Sequence, residues 1–474
     1  MALVIRRVRP VDLVGGRPAE PLDVAVAGGR ITALGPNLAR PAGADELDGD
    51  GRWLLPGLWD AHVHFRQWAA ALDRLDLSGS VDAAAVVAAV ERRLAEGRVP
   101  AILIGFGYRT PTWPVQPSVA ALDAVTGDQP VVLFSGDLHS AWFNSAALRW
   151  AGVAPREDVI KEAELFELSP KLAAWQQQAG GEDLSAAQRD AAAKGVVGLV
   201  DFEFEPTFET WPARYADVGL LKIITSTYPE HLDAVIAAGL QTGQTLVGRD
   251  DQALVSMGPL KVITDGSLNT RTAHCRAPYA DAPDLADPCG VQSVAPDQVA
   301  ELARRATAAG LEVALHAIGD AAVAIAVDAA VAAGARGTLE HVQLIDWPDV
   351  GRMAQAGLAA SVQPAHLLDD REATHRIWPD RADRCFVFAS MARAGVALRF
   401  GSDAPVAPLD PWRTAAAAVH RGEPDDPPWN PAEALTPAQA LAASVRSTLS
   451  PGQPADLVLV GDDPLRPAAD SAEA

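Results

Sequence analysis

Two histidines stand two residues apart in Pro56-Gly57-Leu58-Trp59-Asp60-Ala61-His62-Val63-His64-Phe65. Alternate side chains of an extended strand share a face, so His62 and His64 point the same way and can bind one metal ion together. Four further potential ligands each close a short apolar run. They are Lys261 in Leu-Lys-Val-Ile-Thr-Asp-Gly, His316 in Leu-Glu-Val-Ala-Leu-His, His341 in Gly-Thr-Leu-Glu-His-Val-Gln and Asp403 in Ala-Leu-Arg-Phe-Gly-Ser-Asp. Neutral imidazoles suit zinc and related metals, while a carboxylate adds charge and accepts protons. Each residue also has a plainer reading: a hydrogen-bonded core histidine, a lysine reaching solvent or pairing with Asp265, a loop aspartate capping a helix. Two histidines on one strand face, with a carboxylate after the last strand, favour the metal.

The elements that would position these groups are legible as a rhythm of Ala-rich helix, glycine stop and apolar strand. It recurs at Gly195, Gly310, Gly357 and Gly395. Glycine ends a helix in the left-handed conformation at little cost, so each unit reads as a helix returning to the next parallel strand. The strands are expected at 58–64, 196–203, 221–227, 260–265, 311–316, 337–342, 359–363 and 397–402, and parallel barrel strands bring their ends to one mouth. Residues 66–195 are too long for one connection and hold elements of their own, a helix near 82–96 and apolar runs at 101–106 and 130–135. They are expected as an insertion over that mouth.

Composition sets the outer limits. A chain of 474 residues with 49% hydrophobic content can build a barrel of about 250 residues plus further structure. The 39 basic against 61 acidic residues oppose nonspecific binding to nucleic acid or an anionic membrane surface. Cys275, Cys289 and Cys385 form no Cys-x-x-Cys pair, and the first residues lack a signal-peptide core, so a cytoplasmic protein is expected. Gly105-Phe-Gly107 lacks the context of a dinucleotide site, and no nucleophile-elbow sequence supports a serine hydrolase. The expected partner is a small-molecule substrate, with a homodimer as the candidate assembly.

The order His-x-His, Lys, His, His, Asp resembles the amidohydrolase superfamily. Residues 261–273, Lys-Val-Ile-Thr-Asp-Gly-Ser-Leu-Asn-Thr-Arg-Thr-Ala, together with His316-Ala-Ile-Gly-Asp320, are similar to its type-3 branch, which includes N-substituted formamide deformylases. The resemblance runs from Gly51 to Pro464. It implies an α/β fold with a TIM-like (β/α)8 barrel over residues 57–435, carrying ligands on the first, fourth, fifth, sixth and eighth strands. It also implies a small β-sandwich built from both chain ends, from residues 1–56 and from residues 436–474, which include the last helix; independently, the lack of apolar periodicity after about Arg466 leads that stretch to be expected as loose.

For the site, the resemblance implies one or two divalent metal ions, zinc foremost, held by His62, His64, Lys261, His316, His341 and Asp403. It implies a Lys261 amine carboxylated by carbon dioxide, so that its two oxygens bridge the metals. Asp403 is implied as the general base, and His139, Arg271 and His366, at polar positions of the branch, as substrate-binding residues. The expected reaction is hydrolysis of an amide-type carbon–nitrogen bond in a formamide, acylamide, carbamate or cyclic amide. A mononuclear deaminase of the same superfamily is the nearest alternative. There a glutamate three residues after the fifth-strand histidine handles protons, whereas this chain has Gly319. A non-catalytic barrel protein is the remaining alternative. Trp68, Trp113, Trp142 and Phe143 offer walls for an apolar pocket, with core packing as their default role.

Overall fold

The computed structural model describes residues 2–15, 20–72, 74–96, 101–168, 171–172, 183–249, 252–282 and 284–466. The expectation for the stretch after Arg466 lies outside the described residues. All eight expected strands form, as Leu58–Val63, Val196–Asp201, Lys222–Ile224, Leu260–Ile263, Val313–Ala317, Gly337–His341, Ala359–Val362 and Leu398–Phe400. The first three pair in parallel in one sheet, and the last five pair in parallel in another.

Two seams join these sheets. At one, Thr227 bridges Leu260 in parallel, with Lys261 N donating to Thr227 O at 2.8 Å. At the other, Val63 bridges Ala404, with His64 N donating to Ala404 O at 2.9 Å. One element was not anticipated. An antiparallel hairpin, Thr245–Arg249 with Gln252–Ser256, extends the first sheet, and its second strand lies parallel to Lys222–Ile224.

The helices between strands end where the glycines predict. Gly195, Gly310, Gly357 and Gly395 all have positive φ, between 67° and 90°. A further helix, Asp320–Ala333, ends at Gly334 and buries Ala322, Val323, Ala326, Val327, Ala329 and Ala330, a face of alanine and valine. Such a face lets helix and sheet approach closely while removing apolar surface from water at about 25 cal/mol per Å².

The insertion folds around its own five-stranded sheet, in which Leu75–Asp76, Leu103–Tyr108 and Val131–Ser135 run parallel. Its helix Ala83–Ala95 starts at Asp82, whose side chain accepts from Ala85 N, satisfying one of the orphan donors of a helix start. Trp113 and Trp142 are buried in the insertion's core with Leu77, Val86 and Leu133. At the chain ends, Leu457–Val460 pairs antiparallel with Trp53–Pro56, so residues far apart in sequence complete one sheet with Ala2–Pro10, Leu22–Ala27, Arg30–Gly35 and Asp45–Asp48. The three cysteines are unpaired.

Candidate metal centre

The seam between the first and eighth strands builds the first part of the site. Asp403 N donates to His62 O at 2.7 Å, which fixes the loop after Leu398–Phe400 beside the two histidines. The close approach requires Gly401, where a Cβ would lie 2.6 Å from His62 N. Buried Asp60 clamps both sides, accepting from His62 N at 3.0 Å and from Ser402 N at 2.9 Å. Asp403 itself has φ 58°, and this left-handed turn aims its carboxylate inward. Its Oδ1 then stands 3.4 Å from His62 Nε2 and 3.5 Å from His64 Nε2.

Strand register supplies the rest. His316 pairs with Glu340 and Ala317 with His341, so these two histidines stand one residue apart in level, while Lys261 pairs with Ala314 and reaches up from two residues below His316. Buried Lys261 places Nζ 3.3 Å from His62 Nε2 and 4.3 Å from the centroid of Phe202. It does not pair with Asp265, which instead accepts from the backbone N–H groups of Ile318, Gly319 and His274 and so fixes the loop after His316. The rings of His316 and His341 lie 4.4 Å apart, and those of His62 and His341 4.9 Å apart. Ligand atoms of His62, His341 and Asp403 all fall within 4.8 Å of one another.

Two residues that the sequence reading missed orient the histidines. Glu340 Oε2 lies 2.6 Å from His62 Nδ1, both side chains 1% exposed, which directs the remaining nitrogen, Nε2, into the site. Gln363 Oε1 accepts from His341 Nδ1 at 2.9 Å, with the same effect. Consecutive strand residues normally face opposite ways, yet Glu340 and His341 both reach His62. The reason is that His341 has φ 70° and leaves the strand conformation. A carboxylate directly before the candidate ligand His341 was the visible signal for Glu340; nothing in the sequence marks Gln363.

Electrostatics prepares these groups to act as ligands. Burial, reinforced by Lys261, holds His62 and His316 well below the usual imidazole range, and burial with His316 does the same for His341. Burial lowers His64 to about 3. All four are therefore neutral, the form that binds metal. Burial brings Lys261 down to about 8, against the pull of Glu340 and Asp403, and raises Asp403 to about 7, against the pull of Lys261.

The six residues line a cavity of about 440 Å³. His139 and His366 line it as well. Burial lowers the His139 pKa, but the hydrogen bond and charge of Glu162, whose Oε2 is 3.0 Å from its Nδ1, prevail and raise it to about 9. The Nε2 of His366 is buried without a hydrogen-bond partner, 4.0 Å from Asp403 Oδ2.

Arg271 does not line this cavity. Its guanidinium turns to Asp281, with Nη2 at 2.5 Å from the carboxylate. The arginines that do line the cavity are Arg66 and Arg109, paired with Glu205 and Asp369. Nor do Trp68, Trp113, Trp142 or Phe143 form the apolar wall: all four are buried in packed cores. Phe134, Phe166, Phe204 and Leu268 stand there instead. Trp142, for instance, gives its indole N–H to Ser118 O and faces the insertion's interior.

The chain resembles known proteins over nearly its full length. It is 27% identical to Protein LONG AFTER FAR-RED 3 of Arabidopsis thaliana, over 92% of this chain and 83% of that protein. It is 24% identical to the N-substituted formamide deformylase of Arthrobacter pascens, over 98% of this chain and 94% of that one. Its fold is similar to that of an uncharacterized metal-dependent hydrolase from Pyrococcus horikoshii OT3, with a TM-score of 0.79, 22% identity and 98% of each chain covered. Residues 45–472 match the model of the amidohydrolase family, so the chain belongs to that family and is a hydrolytic enzyme of it.

Proposed function

We propose that the enzyme is a metal-dependent hydrolase of an amide-type carbon–nitrogen bond in a small molecule, a formamide, acylamide, carbamate or cyclic amide. The observation that carries this reading is the convergence of four neutral histidine nitrogens, one lysine amine and one carboxylate on a single cavity. The formamide deformylase among the relatives supports the bond type. The two parallel sheets, bridged at both seams, support a TIM-like barrel over residues 57–435, with an insertion at about 66–195 and a sandwich from the two ends.

The residues fit one or two divalent ions. His62, His64, Lys261, His316, His341 and Asp403 would hold them, and the imidazole-rich set favours zinc. When bound, such an ion lowers the pKa of water and polarises a carbonyl oxygen. Lys261 is buried and its ammonium destabilised, so its neutral amine can add to carbon dioxide, lose a proton and become a carbamate with two oxygens to offer. Asp403 takes a proton from the attacking water and delivers it to the leaving nitrogen, a role suited to a carboxylate within 3.5 Å of two ligand histidines. His139, kept cationic by Glu162, and His366, with its unengaged Nε2, orient the carbonyl from the cavity wall. Phe134, Phe166 and Phe204 take an apolar or aromatic substituent.

The deaminase alternative meets a steric obstacle. Where it requires a glutamate, Gly319 packs so tightly that a Cβ would lie 2.0 Å from His274 O. The reading is tested by screening zinc-loaded protein against formamides, acylamides, lactams and carbamates. Turnover of one class, abolished by a chelator and restored by metal, is expected. Full turnover in rigorously metal-free protein would overturn it.

A further inference from the structure

Away from the strand ends that carry His62, His64 and Asp403, a second cavity of about 340 Å³ opens beneath the same seam. It is lined by Trp59, Ala61 and residues 397–400 and 443–446. Its hydrogen-bonding side chains are the guanidinium groups of Arg399 and Arg446, the Ser444 hydroxyl and the Trp59 indole; no carboxylate lines it. Both arginines are exposed, and among the described residues neither has a hydrogen bond or an ion pair. That is unexpected in a chain with 61 acidic and 39 basic residues. Ser444 is 1% exposed, and its buried Oγ has no hydrogen-bond partner.

The arrangement is held in place. The Arg446 guanidinium lies 4.6 Å above the centroid of Trp59. The Trp59 ring in turn packs on Gly198 of the neighbouring strand, where a Cβ would come within 2.6 Å of it. A stacked guanidinium keeps its N–H fork free at the edge, the geometry that receives a carboxylate in bidentate fashion. The carboxylates nearest to this group, Glu312 and Glu340, line an adjoining cavity of about 260 Å³ that shares Arg399 and Arg446. Glu340 is already engaged with His62, and neither acid reaches ion-pair distance of an arginine.

We propose that the cavity beneath the seam binds a small organic carboxylate. Its oxygens take the N–H groups of Arg399 and Arg446 and the Ser444 hydroxyl, while its hydrocarbon part lies against Trp59, Leu398 and Val445. Two unpaired guanidinium groups reject a cation. A phosphate dianion fits less well, because no helix N-terminus or backbone cradle adds the donors it uses elsewhere, and Glu312 and Glu340 stand behind the arginines. The site is separate from the metal centre and does not depend on the reaction assigned there.

Calorimetric titration of metal-loaded protein with benzoate at fixed ionic strength tests this. One saturable site per chain with a Kd below about 1 mM is expected. R399M/R446M should weaken binding by about tenfold or more, and S444A by a smaller factor. Thermal denaturation without benzoate should be unchanged in R399M, whose guanidinium has no partner among the described residues; because R446M also gives up the stack on Trp59, R399M alone serves if the double variant is destabilised. Benzoate affinity that survives loss of both arginines would place the ligand elsewhere, at the metals for instance, and overturn the proposal. Absence of saturable binding would overturn it too, as would phosphate binding as tightly as benzoate with the same dependence on the variants.

Discussion

Asp403 is the residue on which turnover should depend most steeply. Replacing it by Asn keeps its size and part of its ligand capacity but removes proton acceptance. Turnover should fall by about 10²-fold or more with the fold intact, as checked by steady-state kinetics beside circular dichroism. Unchanged turnover at saturating substrate would remove Asp403 from the chemistry. Lys261 separates a bridged pair of metals from a single one. Lys261→Ala should lower the metal content measured by elemental analysis, because the remaining histidines lose the anion that offsets repulsion between two cations. A metal content equal to that of the parent protein would argue against the bridge. Glu340 acts at one remove, through His62. Glu340→Ala should weaken metal affinity by about 10- to 100-fold in chelator competition, and Glu340→Gln, which can still accept from His62 Nδ1, should recover part of the loss. Equal affinities in all three proteins would leave Glu340 without a positioning role.

At the level of elements, the candidate metal centre is assembled by two seams and by the pairing of the fifth and sixth strands. The seam at Asp403 works because glycine stands at 401; a methyl group there would press on His62 N and Cβ at 2.6 and 2.7 Å. Gly401→Ala should therefore cost about 1–3 kcal/mol of stability through overpacking. It should also weaken metal binding, since it displaces the strand that carries His62 and leads directly into His64. Denaturant melts and chelator competition on the same preparation check the two effects. Full retention of both would show that the loop can move aside.

Across the whole molecule, the C-terminal strand ties the end sheet to the rest of the chain. Leu457–Val460 covers Trp53–Pro56, the preceding Asp456 accepts from Gly57 N at 2.7 Å, and the Asp456 carboxylate meets Lys222. Removing residues 451–474 uncovers the edge of Trp53–Pro56, one residue before the strand that bears His62. A melting temperature lower by several degrees and a tendency to associate through the open edge are expected. An unchanged melting curve would show that the end sheet is stable without its last strand.

The strands, the glycine-ended helices and the six residues that meet in one cavity were all legible in the sequence. Those features rest on local chemistry: apolar runs of strand length, left-handed glycines, and histidines placed where runs end. It also carried His139 and His366 into the cavity. Which polar residues turn toward the site and which turn away is set by the packing of elements distant in sequence. Arg271 leaves for Asp281 while Arg109 lines the cavity, because a guanidinium pairs with whichever carboxylate the fold brings near. Trp142 and Phe143 go to the insertion's core while Phe134, from a neighbouring strand, and Phe166, from the helix Glu162–Glu167, go to the cavity, since which face of an element is covered depends on what packs against it. Glu340, signalled in the sequence only by standing before His341, gained its role when the fold brought it to His62, and Gln363 became visible only when the end of the seventh strand met His341. The unpaired arginines beneath the seam emerged in the same way. Pairing between distant strands is a long-range choice among many partners, and local residue patterns do not contain it.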